Sequence, residues 1–398
     1  MTPEPSGSRQ MRLLHIINSV NPVSGGPIEG VFRQDGATRD LGVREVLSLD
    51  HPDDPWVAAS PIKVHAMGGR KAKGGFLGHY GYSPDMVPWL KAHVGDYDAV
   101  IVNGLWNYAT FGASRVLPHA STPYFVFTHG MMDPWFRRTY PLKNLAKQGF
   151  WQVCEGPLTR KARAVLFTTE EEKLLARGEF WGSRYTEQVV GYGTSTAPLQ
   201  TAAQTGAFAA ATPGLNGRPY LLFLSRIHRK KGVDLLIEAF ARTAELQPDL
   251  QIVVAGPDQT GSVADLRARA AALGIGDRLH WPGMLQGDAK WGAYYGAEAF
   301  ILPSHQENFG IVVAEAMACG KPVLISDKVN IWREVEGAGA GLVETDTVEG
   351  AEALLRRWNA LSADERAAMG QAAQAAFSAN FDVENTARQL LETLREVL

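Results

Sequence analysis

The chain has 398 residues, 45% of them hydrophobic and 20% charged, which is the balance of a folded globular protein and excludes a disordered or fibrous one. Its 39 Lys and Arg nearly balance 42 Asp and Glu, so the basic excess expected of a protein that coats nucleic acid is missing. The 2 cysteines, Cys154 and Cys319, sit in no CxxC pair; zinc and iron–sulfur readings lose support, and a reducing compartment fits.

The length suggests two or three domains. The polar start, Met1 to Gln10, lacks the apolar stretch of a signal peptide. No apolar run approaches the ~20 residues needed to cross a bilayer. The expectation is a cytoplasmic protein, with contact at a membrane surface left open.

The first strand is predicted at Met11 to Asn18, followed by a turn-rich loop and a helix from Ile28 to about Leu41. Further buried runs recur at 44–49, 98–104, 124–130, 164–169 and 187–193, with helical stretches between most of them. Short apolar runs alternating with helices predict a parallel sheet covered on both faces. From Thr194 to Pro219 the chain is small, polar and punctuated by Pro and Gly, which predicts a linker or surface excursion between domains, against a long surface loop inside one domain. The alternation then restarts at 220–226, 250–257, 277–283, 297–304 and 321–327, with a further run at 340–345. Two α/β halves of similar size result. Open parallel sheets bind ligands at the carboxyl ends of their strands.

Four segments carry chemistry. The first is PSHQENFGIVVAEAMACGKP, from Pro303 to Pro322, read as a strand end, a polar loop and an apolar helix from near Phe309 to Gly320. The helix start at Phe309, Gly310 and Ile311 offers backbone N–H groups and a positive dipole end to an anion. Glu307 lies in the loop and Glu315 lies within the apolar helix. A buried carboxylate needs hydrogen-bond donors. Either a ribose diol, or a structural pairing with a buried Arg or a second helix terminus, satisfies Glu315.

The second segment, LFLSRIHRKKG (Leu222–Gly232), places Arg226 at a strand end and Lys231 five residues on. A guanidinium and an ammonium together suit a diphosphate; a solvated basic turn is the alternative. The third is the loop after the first strand, where Gly25 and Gly26 allow backbone to approach a phosphate or sugar. The dinucleotide fingerprint GxGxxG is absent there, and Asp50 at the end of the second run is read as incidental. The fourth is His129, at the end of YFVFTHG, where a histidine could orient a substrate hydroxyl or shield developing charge. The DxD spacing of Asp96-Tyr97-Asp98 falls before a strand, at the end of the sheet away from ligands, and is read as a solvated turn.

Together, the GG loop, the Arg-x4-Lys-Gly turn, the Glu-x7-Glu segment and the stretches HQENFGIVVAEAMACGKPV and THGMMDPW resemble the retaining GT-B glycosyltransferases of family 4, of the kind that builds bacterial exopolysaccharide or lipopolysaccharide. The resemblance spans about residues 11–398. It implies an α/β fold of two Rossmann-like parallel-sheet domains facing a central cleft. The implied domains are an acceptor-binding half at 11–195, a linker at 196–218 and a nucleotide-sugar half at 219–382, with the last helix, 383–398, crossing back onto the first half.

The resemblance also implies roles. Arg226 and Lys231 would clamp the diphosphate of a UDP-sugar or GDP-mannose. Glu315 would hold the ribose. Glu307, with the backbone of Asn308, Phe309, Gly310 and Ile311, would grip the donor sugar and its phosphate. Gly25 and Gly26 would lie near the phosphates, Met284 by the base and His129 by the reacting face. No covalent nucleophile, cofactor or metal is implied. A sugar-nucleotide 2-epimerase of the same architecture and an inactive nucleotide-sugar binding module are the alternatives.

For the acceptor, Lys143, Lys147 and Trp151 fall on one helical stripe, with Arg137 and Arg138 just before. Basic and aromatic residues together suit a lipid interface. The expectation is a lipid-linked glycan acceptor and peripheral contact with the inner membrane, against the alternative of a solvated helix face. Nucleic acid is not an expected partner.

Overall fold

The computed structural model describes residues 10–69 and 80–397. The polar start before Gln10 and the terminal Leu398 lie outside the described residues. The chain divides into two units. One runs to Gly193 and includes the last helix, Val383–Val397; the other is Thr194–Asp382.

In the first unit seven strands form one parallel sheet: β1 (Met11–Ile17), β2 (Gly42–Ser48), β3 (Lys63–Ala66), β4 (Ala99–Asn103), β5 (Tyr124–Phe127), β6 (Ala164–Phe167) and β7 (Glu187–Val189). Their order is β3-β2-β1-β4-β5-β6-β7, so chain direction across the sheet reverses between β1 and β4. The register sets His15 beside Ile101 and Ile16 beside Val102. β4 and β6 are buried along their whole length, as expected of apolar runs covered on both faces. The apolar run-up to each strand identifies all of them except β3. That edge strand, KVHA, has no continuous apolar run and is only partly buried.

The second unit repeats the plan with six parallel strands: β8 (Tyr220–Leu224), β9 (Gln251–Ala255), β10 (Leu279–Gly283), β11 (Ala299–Leu302), β12 (Val323–Ser326) and β13 (Gly341–Glu344). The order β10-β9-β8-β11-β12-β13 reverses between β8 and β11. Such a reversal opens a crevice at the carboxyl ends of the two strands flanking it.

The helix Val383–Val397 packs on the helix Gly26–Thr38. It buries Val383, Ala387, Leu390, Leu391 and Leu394, one apolar face at helical spacing. Both cysteines are buried and free, and burial pushes each thiol up to about 12.

The segment 196–218 is not a bare linker. Thr201 opens a helix, Ala202–Ala211, through a capping box with Gln204. The helix packs tightly on the helix Gly287–Gly296: a Cβ at Gly292 would stand 2.1 Å from the Gln204 carbonyl oxygen. Phe208 is buried against Tyr220, and the Tyr295 hydroxyl donates to the Pro198 carbonyl at 2.5 Å. Backbone approach over Ala and Gly holds this helix, rather than a stripe of large apolar residues, so the sequence carries no periodic signal for it.

This packing separates two glycine substitutions. Gly206 is exposed on the helix with open space at its Cβ position. Gly206→Ala is expected to stabilise by roughly 0.5–1 kcal/mol. Gly292→Ala is expected to destabilise by about 1–3 kcal/mol through overpacking. Urea unfolding of both variants measures this; a segment with no fixed structure would leave both unchanged.

Candidate active site

The carboxyl ends of β8 and β11 carry two loops that hold each other. After β8 a short turn, Arg229–Lys231, is capped by His228, whose Nδ1 accepts from the Lys230 N–H at 3.1 Å. Gly232 follows at φ 69°, and a Cβ there would meet the Pro303 carbonyl oxygen at 2.0 Å. Only glycine fits that conformation and that approach. From the loop after β11, the Ser304 hydroxyl and the His305 N–H both donate to the Lys230 carbonyl, at 2.8 and 2.7 Å.

The clamp brings Lys231 and Glu307 into an ion pair. Lys231 is buried and Glu307 is mostly covered. Arg226 lies on the same loop and is exposed. Burial lowers the His228 pKa, and the surrounding charges of Lys230, Arg226, Lys231 and Arg229 lower it further, which marks a concentrated positive field.

Glu307 is fixed from the other side by a parallel bridge to Val329: its N–H donates to the Lys328 carbonyl, and its carbonyl accepts from the Asn330 N–H. Asn330 also donates to the Asn308 side chain at 3.4 Å. Phe309 is buried edge-on against Phe381. The helix that follows runs Ile311–Ala318, with Gly310 as its N-cap at φ 77°. It therefore starts two residues later than the sequence suggests. Ile311 and Val312, rather than Phe309 and Gly310, supply first-turn N–H groups.

Glu315 is buried one turn into this helix, as its apolar neighbours imply. It is already partnered. Lys290 donates to Oε1 at 2.7 Å, and Tyr294, whose hydroxyl also reaches the Val312 carbonyl, donates to Oε2 at 3.0 Å. Its structural partners are a lysine and a tyrosine, both on the helix Gly287–Gly296, in place of the arginine or helix terminus expected. Met284, after β10, is exposed.

The first unit has its own cluster at the carboxyl edge of its sheet. Asp50 ties down the loop after β1: Ser19, the Val20 N–H and the Trp56 indole donate to it at 2.6, 2.7 and 2.9 Å. That is its role here, in place of contact with a ribose. The loop ends at Gly25, φ 85° and ψ −151°, with open space where a Cβ would stand. The helix begins at Gly26, whose carbonyl accepts from the Tyr192 hydroxyl at 2.5 Å.

Tyr192 in turn meets the His129 ring edge-on, and His129 stacks on Phe127 at 4.2 Å. The Gly25–Gly26 loop and His129 therefore share one aromatic wall. His129 has φ 49°, a strained value for a side-chain-bearing residue. Glu172 holds it there. Its Oε1 accepts from the Thr128 hydroxyl and the Gly130 N–H, and its Oε2 from the Thr168 N–H and hydroxyl, all within 2.6–2.7 Å.

Asp98 accepts from the Arg12 N–H at 2.7 Å, just before β4. The DxD spacing is a structural turn at the amino end of the strands. Among the described residues, no group of three or more His, Cys, Asp or Glu could hold a metal ion.

The basic-aromatic stripe is corrected by the structure. The helix Pro141–Phe150 passes into one π-helical turn, Trp151–Glu155. Trp151 is buried, stacked on Phe180 at 4.7 Å. Lys147 lies over the rings of Trp106 and Phe136. Arg137 reaches the buried Glu179 at 3.5 Å. Of the stripe only Lys143 is exposed, its ammonium over the Tyr140 ring, and the helix also exposes Leu142 (85%) and Leu145 (60%). The Trp151 N–H still bonds to the Lys147 carbonyl, so the stripe holds its helical register, and its Lys147–Trp151 end faces inward.

Two family models match the chain. One, described as glycosyl transferases group 1, matches residues 209–376; the other, a glycosyl transferase 4-like domain, matches residues 35–193. The two parallel-sheet units are those of a GT-B fold. The chain belongs to the group 1, GT4-like glycosyltransferases.

Among relatives, the D-inositol 3-phosphate glycosyltransferase of Geodermatophilus obscurus is 37% identical over 158 residues, 37% of this chain and 35% of that protein. The chain spans about a third of the length of the relatives it matches. Among solved structures, Anabaena Alr3699/HepE with UDP has a TM-score of 0.77 at 20% identity, covering 97% of this chain and 100% of that one. WaaG, a glycosyltransferase involved in lipopolysaccharide biosynthesis, has a TM-score of 0.65 at 16% identity, covering 96% and 99%. These two likenesses concern the fold.

One buried group near the β4 loop makes a testable claim. Glu155, in the π turn, accepts from the Trp106 N–H and the Thr110 hydroxyl through Oε1, both at 2.8 Å, while Oε2 has no hydrogen-bond partner among the described residues. Burial raises its pKa from 4.5 to about 7, against the pull of those two donors. Between these values the unfolded chain has released the proton and the folded chain retains it. Stability from this group is therefore present at low pH and declines as pH rises through about 7. Glu155→Gln removes the decline. Relative to the parent, the variant is expected to gain on the order of 2–3 kcal/mol between about pH 5 and pH 8, measured by denaturant unfolding at both.

Proposed function

We propose that this chain transfers a hexose from a nucleoside-diphosphate sugar, a UDP-sugar or GDP-mannose, to a hydroxyl of a glycan acceptor. Configuration at the anomeric carbon is retained and no metal ion takes part. The observation that carries the reading is the Lys231–Glu307 pair at the strand-order reversal of the second unit, next to the open first turn at Gly310. That UDP and UDP-glucose have been found bound to Alr3699/HepE supports a nucleotide-sugar donor.

In this reading Arg226 and Lys231 neutralise the diphosphate, with the N–H groups of Ile311 and Val312 adding the positive end of a helix. The donor's ribose meets Glu315, its base lies toward Met284, and Glu307 turns from Lys231 toward the sugar hydroxyls. The bond from C1 to the phosphate oxygen breaks with its electron pair going to that oxygen. Charge then develops where cations already stand, which is electrostatic preorganisation. The acceptor oxygen bonds to C1 from the face the diphosphate leaves, and its proton passes to the departing phosphate. His129 and the Gly25–Gly26 loop serve the acceptor and the sugar.

The acceptor we propose is a lipid-linked glycan of surface-polysaccharide synthesis, reached at the inner face of the plasma membrane. The support is the exposed Leu142, Lys143 and Leu145 of the helix Pro141–Phe150, with Arg138 exposed shortly before it in the chain. An apolar face edged by basic groups suits an anionic interface.

A panel of UDP- and GDP-sugars, scored by thermal shift and by slow donor hydrolysis, tests the donor. One nucleotide class is expected to raise the melting temperature. Lys231→Met and Glu307→Gln are expected to lose roughly a hundredfold or more in turnover while remaining folded. Full transfer rates in both variants would remove the site. Sedimentation with anionic vesicles at low salt tests the membrane clause, and the absence of binding removes it.

A further inference from the structure

His129 is connected through Asn103 to a second buried histidine. Asn103 is the last residue of β4, beside the reversal of strand order. Its Nδ2 lies 3.1 Å from the Ile101 carbonyl oxygen and 3.2 Å from His15 Nδ1. Its Oδ1 lies 3.2 Å from His129 Nε2. The orientation of this amide follows from chemistry alone. A carbonyl oxygen only accepts, so the amide edge facing Ile101 is the NH2, and Oδ1 faces His129.

Two consequences follow for the rings. His129 Nε2 meets an acceptor and therefore carries a hydrogen. His15 Nδ1 meets a donor and is therefore bare, leaving its proton on Nε2, a buried atom with no hydrogen-bond partner among the described residues. The titratable and charged groups around this chain are few. Arg44 on β2 and His129 both act on His15, and the Tyr192 ring packs on His129. Glu172, which holds Gly130, already accepts four hydrogen bonds from Thr128, Gly130 and Thr168. Among the described residues, no carboxylate hydrogen-bonds to either imidazole, and burial lowers the pKa of both. Both rings are neutral at neutral pH.

We propose that Asn103 is a positioning residue for His129. It locks the imidazole as the Nε2–H tautomer and leaves Nδ1 as a fixed lone pair that accepts a substrate hydroxyl. The functional part rests on the reading that His129 meets a substrate. A histidine held in this state orients a hydroxyl. It cannot shield developing negative charge, because it carries no charge and its one N–H is committed to Asn103.

The test uses the full chain labelled with ring-15N histidine, the His129 signals being assigned from their loss in His129→Gln. In the parent, Nε2 is expected to be protonated and Nδ1 bare across neutral pH. Asn103→Leu should mix the tautomers. It should lower kcat about ten- to a hundredfold with little change in the KM for nucleotide sugar. Asn103→Asp, of nearly the same shape, places a carboxylate between the two rings. It should raise the His129 pKa and add an acid limb to the kcat profile, which loss of packing alone would not do. A parent spectrum with Nδ1 protonated would overturn the proposal, as would an Asn103→Asp variant with unshifted His129 nitrogens and an unchanged pH profile. Unchanged turnover in His129→Gln would overturn the substrate contact instead, and the nitrogen shifts would still show whether Asn103 sets the tautomer.

Discussion

The Lys230 carbonyl, accepting from both Ser304 and His305 while Gly232 sits against Pro303, binds the loop after β8 to the loop after β11. These loops belong to adjacent strands whose crossovers run in opposite directions, so their carboxyl ends would otherwise diverge. The clamp closes that gap and fixes the distance between a buried ammonium and a carboxylate 76 positions apart in the chain. A buried cation is costly without a partner, and here the partner arrives on the second loop. The glycine conformation, the strand order and the ion pair each require the others.

The first unit solves a different problem with the same topology. Its reversal lies between β1 and β4, and the atoms gathered there are mostly neutral: an amide, two imidazoles and a tyrosine. The anionic groups nearby are structural. Asp50 and Glu172 spend their oxygens on backbone N–H groups and hydroxyls and thereby hold loops in place. The two sheet edges thus differ in kind, one built around charge and the other around hydrogen-bond direction.

The strands were legible because both sheets are parallel and buried on both faces, which writes them as continuous apolar runs. β3 was not, being a half-covered edge. The helix Ala202–Ala211 was hidden by its own composition, since alanine packs by closeness and gives no periodic contrast. Lys231, Glu307 and Glu315 stood out as charges in apolar or turn-bound segments. That Lys231 and Glu307 pair, or that Lys290 and Tyr294 hold Glu315, depends on strand order and helix rotation, and neither is written locally. Asn103 gave no signal, because VNG is an ordinary strand end until β1 and β4 lie side by side and its amide reaches His15 and the Ile16 carbonyl. Glu172 was one of three consecutive glutamates, and only the turn from Thr168 selects it. Trp151 misled for a similar reason: it does share the helical stripe of Lys147, but packing against Phe180 and Trp106 turns that stripe inward, which spacing alone does not show.

Both carboxylates of the Glu-x7-Glu segment are already neutralised by lysines. With a nucleotide, on the proposed reading, occupation would be an exchange of partners and not a net gain of contacts. Grip on the spent nucleotide would be weakened by the same amount, since each lysine has a carboxylate to return to. A pocket wired in this way favours ejection of product over storage of it, and suits a catalyst whose pace is set by how fast it empties.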